Sequence, residues 1–332
     1  MAAGKIVEFK EGYSKYLLGL LLVLLLSWLG LNLAGDFNLT RLIQGWQLMD
    51  LPLVIGACLL TASLWLIETL RMQVLLRLAG TRLSFFKVLQ VNLAFAFAGA
   101  VTPAGMGATP ALVYFFFRQG VKLEAAMAVA TARMLLSMLF FAIVNPLVLF
   151  LLRKELGLSP LVVKLTLTGV ISVSLLGLGF IFMSLQIQRI AFLLKPLLPE
   201  RWGQPFYDTA VSFRNAWSRL LVAREPLALI ALSLLTMLYW AGFFTIGWLL
   251  ALDLGATISW TVMVGRQMIL YFLLSCLPLP GGSGIAEMGY RALFAHAVVP
   301  GYAGILVAWW RFLTFYINLI IGGLVFWRLV KT

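Results

Sequence analysis

Two arginines stand where arginine is costly. Arg133 and Arg311 each lie roughly ten residues inside a long apolar run, 123–152 and 301–327. An ionised side chain at that depth in an apolar phase marks a functional site or a buried partner. The guanidinium fork binds phosphate oxygens bidentately and keeps its charge. Two of them facing one polar chamber could hold an anionic headgroup. The competing reading is a structural ion pair, with Glu287 the candidate partner of Arg311.

Each arginine follows a segment rich in proline and glycine. The first contains Thr102, Pro103, Gly105, Gly107 and Thr109; the second contains Pro280, Gly281, Gly282, Ser283 and Gly284. Backbone N–H groups at the start of the helix after such a turn favour an anion. A tight turn needs glycine in any case, so each turn alone says little. Glu287, one turn into the helix after the second turn, could couple a proton or hold Arg311 while the site is empty. Arg266, Gln90 and Gln267 are secondary candidates, with Arg266 expected near an interface. Glu68 and Arg71 read as an i,i+3 pair at the membrane edge. His296, the one histidine, is expected near the outer surface, which argues against a histidine proton relay. No catalytic residue, metal site or cofactor is expected: no hydrolase, phosphate-loop or metal-ligand spacing occurs. Cys58 and Cys276 both fall in apolar runs.

These residues must be positioned by membrane helices. Hydrophobic residues are 62% and charged residues 11% of the 332, too apolar for a soluble domain. Runs at 16–34, 51–70, 123–152, 160–185, 226–252 and 301–327 each approach the ~20 residues that cross a bilayer as a helix. The first is too long for a signal-peptide core, and Asn32-Leu33-Ala34 is a poor cleavage site, so it reads as a retained span. Two further apolar stretches, 85–118 and 257–298, are broken by the Pro/Gly segments and read as re-entrant helical hairpins. They also match each other. At an offset of 177, Gln90, Leu93, Phe95, Pro103, Gly105 and Gly107 fall on Gln267, Leu270, Phe272, Pro280, Gly282 and Gly284. One residue later in register, Val121, Ala130 and Arg133 fall on Val299, Ala308 and Arg311. The expected fold is therefore all-α and integral to the membrane: six spans plus two hairpins, arranged as inverted-topology repeats. The first half is 1–188, a linker 189–225 follows, and 226–332 forms the second-half core, with span 160–185 belonging to the second repeat.

With both termini in the cytoplasm, cytoplasmic segments hold 17 of the 25 Lys and Arg, against five (Arg41, Arg153, Lys154, Lys164, Arg291) in outer segments. That is the positive-inside pattern and implies the cytoplasmic membrane. The net charge of +13 is read as topology and attraction to anionic headgroups rather than nucleic-acid binding. The linker mixes Arg189, Lys195, Arg201, Arg214, Arg219 and Arg224 with Phe192, Trp202, Phe206, Phe213 and Trp217. It reads as an amphipathic helix lying on the membrane, or a dock for a lipid-synthesis enzyme.

The chain resembles the transmembrane region of lysylphosphatidylglycerol synthases, the flippase-like or UPF0104 family, over roughly 15–330. The residues that carry the resemblance are Thr102-Pro103 through Gly107 with Arg133, and Leu279 through Glu287 with Arg311. The resemblance implies translocation of a phospholipid or a polyprenyl-phosphate-linked lipid. The cytosolic transferase domain of the fused members is absent, so synthase activity is not implied. The first hairpin has Ala108 and Thr109 where many relatives carry an acid, which would leave any acid-coupled step to Glu287. Two other functions remain open: a membrane-embedded transferase, for which Asp36, Asp50, Asp208 and Asp253 form no cluster in sequence, and a non-catalytic scaffold.

Overall fold

The computed structural model describes residues 2–33, 50–221, 225–275 and 277–331. Asp36, Arg41, Arg224 and Cys276, named above, lie outside the described residues. Every regular element among those described is a helix. Apolar side chains on all faces drive this, because a chain with lipid around it must satisfy its backbone internally.

In order, the helices are α1 (Ala2–Leu33), α2 (Leu51–Leu78), α3 (Phe85–Ala100), α4 (Ala108–Arg118), α5 (Leu123–Leu156) and α6 (Pro160–Leu194). There follow α7 (Glu200–Leu221), α8 (Pro226–Asp253), α9 (Trp260–Ser275), α10 (Ile285–Phe294), α11 (Ala303–Arg311) and α12 (Ile317–Lys331). A π-helical turn, Phe312–Tyr316, joins the last two. Five helical stretches among the described residues are long and apolar enough to cross a bilayer: 51–78, 123–156, 160–197, 226–253 and 303–331. The expected sixth span appears as a shorter apolar stretch, Tyr16–Asn32. At ~1.5 Å per residue it falls a few ångströms short of a ~30 Å hydrocarbon core.

Both Pro/Gly segments break their helices. α3 packs against α4 and α9 against α10, and the two intervening turns touch each other. Short 3₁₀ turns, Pro103–Gly105 and Pro280–Gly282, occupy equivalent places. The sequence match at offset 177 extends to the backbone. Thr102 (φ −115°, ψ 146°) answers Leu279 (φ −106°, ψ 136°), and Ala104 (φ 49°, ψ 21°) answers Gly281 (φ 56°, ψ 15°). The likeness ends one residue after Gly105 and Gly282, where ψ is −27° at Met106 and 143° at Ser283.

α1 lies across both turns. A Cβ on Gly19 would sit 2.0 Å from the carbonyl oxygen of Val101, and one on Gly30 would sit 2.6 Å from the Cα of Gly284. Only glycine allows such approach. α7 is amphipathic, as its sequence predicts, but much of its apolar face is spent inside the protein. Ala210, Phe213, Ala216, Trp217 and Leu220 recur at helical spacing and are buried in the core shared with α2 to α5. Phe192, Trp202 and Phe206 remain exposed.

Candidate functional site

Arg311 ends α11, and its side chain meets the second turn. Its Nε donates to Glu287 Oε1 at 2.8 Å, its Nη2 donates to Ser283 Oγ at 3.0 Å, and both Nη atoms approach the Gly281 carbonyl at 3.3 Å. The guanidinium carbon lies 4.1 Å from the centre of the Phe315 ring, a cation–π contact. Phe315 reaches that position from the π turn, an irregularity often found at functional sites. Glu287 is fully buried, and its second oxygen accepts the Gly284 N–H at 2.7 Å. The N-terminus of α10 is therefore already supplied with an anion, and that anion is Glu287 itself.

Arg133 on α5 is held differently. Its Nε donates to Glu68 Oε1 on α2 at 2.5 Å, and its guanidinium stacks over Phe95 of α3 at 4.0 Å. Glu68 also takes Arg71, whose Nη2 lies 3.1 Å from Oε2. Arg71 is fully buried, with Thr236 and Tyr239 of α8 beside it. The Glu68–Arg71 pair has the i,i+3 spacing the sequence shows, but it faces the protein interior: Glu68 is 2% exposed. Burial forces this carboxylate to find more than one donor, because an unpaired charge there would cost several kcal/mol. Arg133 thus gains a carboxylate from α2, whereas the turn before it has Thr109. No local motif connects Glu68 to a residue 65 positions on; its place in an apolar run was the available signal.

Both arginines open onto one cavity of about 490 Å³, within the ~300–1,000 Å³ typical of small-molecule sites. α2, α3, α5, α8, α9, α11 and the two turns supply most of its wall, with the π turn and single residues from α4, α6 and α12 completing it. Glu68, Asn92, Ser137, Tyr239, Tyr271 and Asn318 supply polar groups to its wall, and Trp65 Nε1 donates to Asn318 Oδ1 at 2.7 Å. Glu68, Arg71 and Arg133 together carry one net positive charge, whereas Arg311 and Glu287 cancel. Among the described residues the two terminal nitrogens of Arg133 have no hydrogen-bond partner. The polar atoms of Arg311 are largely taken.

The other expected site residues divide. Gly105, Gly281 and Gly282 line the cavity. Thr102 closes its own turn: its hydroxyl donates to the Ala98 carbonyl (2.7 Å) and accepts the Gly107 N–H (2.8 Å). Pro103 and Thr109 are exposed outside the cavity wall, and Pro280 is buried behind it. Arg266 is a brace remote from the cavity. It donates to the carbonyls of Leu156 (2.9 Å) and Leu293 (3.0 Å), at the ends of α5 and α10, and lies 3.1 Å from His296 Nε2. Gln267 is buried and donates to the Phe244 carbonyl at 2.8 Å, away from the main cavity, and Gln90 is half-buried and does not line it. Cys58 is a free, exposed thiol.

Bilayer-length apolar helices around a charged interior define a multi-pass membrane protein. The chain belongs to the family described as the lysylphosphatidylglycerol synthase TM region, whose model matches residues 16–322. It is also similar to a UPF0104 membrane protein of Archaeoglobus fulgidus, at 29% identity over 292 residues, covering 84% of this chain and 88% of that relative.

Proposed function

We propose that this protein carries the headgroup of an anionic, zwitterionic or polyprenyl-phosphate-linked lipid across the cytoplasmic membrane, without covalent chemistry. The observation that carries the reading is the single cavity reached by Arg133 from one half and Arg311 from the other. In this reading 85–118 and 257–298 are re-entrant hairpins entering from opposite faces, and the halves are inverted repeats around a fixed site. The termini are cytoplasmic, as the basic residues argue.

Glu68 and Glu287 act as stand-ins for substrate. A guanidinium so far inside the protein would be costly without a partner, so each keeps a carboxylate. A lipid phosphate offers anionic acceptor oxygens of the same kind and can replace it. Exchange of one anion for another lets the cavity fill and empty without exposing bare charge. Acyl chains stay in the bilayer, where they need no protein cover.

The test is transport by pure protein in liposomes with one leaflet labelled. Wild type is expected to dissipate the asymmetry, and Arg133→Ala and Arg311→Ala to slow it at least tenfold, the loss of one charge-assisted hydrogen bond. Lipid movement untouched by both changes would remove the site. A scaffold role has one observation in its favour, the exposed Phe192 near the end of α6 and Trp202 near the start of α7. Capture of a lipid-synthesis enzyme, abolished by Trp202→Ala in a protein that moves no lipid, would favour it.

A further inference from the structure

The reading above leaves open how a headgroup reaches an interior cavity, and the burial of the wall answers it. The wall is uneven. On α2, α8 and α11 the lining residues Leu64, Glu68, Trp240, Phe243, Trp310 and Arg311 are buried, while Trp65 and Tyr239 are half-buried. The lining residues that are exposed are Ala104, in the first turn, and Ser275, at the end of α9. Met134, Ser137 and Met138 of α5 and Val173 of α6 line the same cavity and are half-buried. These belong to two of the apolar spans, and outward neighbours such as Leu139 and Leu176 are exposed. A gap between these two spans would open sideways into hydrocarbon. The cation nearest to it in sequence is Arg133, one residue before Met134, with its side chain 17% exposed. Arg311 is buried.

Resting on the translocation reading, we propose that an anionic phospholipid enters sideways through a portal between α5–α6 and the exposed tips at Ala104 and Ser275. Its phosphate meets the terminal nitrogens of Arg133 first, while the chains remain outside against Met134, Met138 and Val173. The one net positive charge shared by Glu68, Arg71 and Arg133 complements a phosphate carrying one negative charge. Methionine suits the rim, since its unbranched, polarizable side chain repacks at little cost as a chain slides past. Arg311 takes the phosphate only after Glu287 releases it, so the two arginines act in sequence and not as one clamp.

Photolabelling decides this independently of transport. The full chain is reconstituted in vesicles holding phosphatidylglycerol with a diazirine high on one acyl chain, and adducts are mapped by peptide sequencing. Adducts are expected to concentrate on Met134, Met138 and Val173, well above Leu175 and Leu178 on the outer face of α6. Arg133→Ala should lower the portal adducts roughly tenfold, and Lys164→Gln, near the start of α6 and outside the cavity wall, should leave them unchanged. The same diazirine on diacylglycerol, which has no phosphate, should show no enrichment. Even labelling of all apolar faces by wild type, enrichment on α2 or α8, or equal enrichment with diacylglycerol would each overturn the portal. Portal adducts without leaflet exchange would refute translocation and leave the portal standing; exchange with adducts elsewhere would do the reverse.

Discussion

At the residue scale the two carboxylates differ in what depends on them. Glu68 holds two guanidiniums, so Glu68→Ala leaves Arg71 and Arg133 without their acid in the interior. A loss of about 3–5 kcal/mol is expected, the cost of an orphaned buried charge, read as a lowered unfolding temperature in detergent. Arg133→Ala is milder, because Glu68 keeps Arg71; about 1–3 kcal/mol is expected on the same measurement. Equal losses from the two changes would show that Glu68 does not bridge. The equivalent turn positions offer a second comparison. Ala104 and Gly281 share a left-handed backbone, yet Ala104 is exposed while a Cβ on Gly281 would lie 2.3 Å from the Phe315 ring. Ala104→Gly should change stability by no more than about 1 kcal/mol, relief of strain being offset by glycine entropy. Gly281→Ala must push Phe315 off Arg311, and its loss should exceed that of Ala104→Gly by about 2 kcal/mol or more. Comparable melting of the two variants would contradict the packing of Phe315 on that turn.

At the element scale α1 depends for its place on small residues. It reaches the second turn through Gly30 against the backbone of Gly284, where nothing flexible can give way. Gly30→Leu should therefore displace α1 from that turn, costing at least about 3 kcal/mol through overpacking, with the α1 segment becoming open to added protease. Gly56, which has nothing within 4 Å of a Cβ, is the control, and Gly56→Leu should melt like wild type. A protease pattern that does not distinguish them would mean α1 is not clamped there. The π turn after Arg311 belongs to this scale too. It swings Phe315 onto the guanidinium, and a regular α-helix through 312–316 would carry the ring elsewhere.

At the scale of the whole molecule, topology is the testable quantity. Arg82 lies in the α2–α3 connection, Arg201 in α7, and Lys164 near the start of α6. In intact cells a membrane-impermeant maleimide is expected to label Lys164→Cys in a Cys58→Ser, Cys276→Ser background. Arg82→Cys and Arg201→Cys should react only after permeabilisation. Labelling of Arg82→Cys from outside would invert the proposed orientation.

Sequence alone determined the solvent, the helices and the two breaks, because each is written in local composition. Apolar runs of bilayer length, proline and glycine at fixed offsets, and arginines inside apolar stretches can be read without knowing what touches what. The match between the two Pro/Gly segments could also be read, and at the same offset the backbone angles of Thr102 and Leu279, and of Ala104 and Gly281, agree. What only tertiary structure decided was partnership. Glu68 pairs with Arg133 across 65 residues, Thr102 caps its own turn instead of facing the cavity, and Arg266 ties helix ends together far from the site. The reason is that a buried charge or hydroxyl takes whichever partner the packing brings within about 3 Å. That choice is made by helices meeting in space, and no spacing along the chain encodes it.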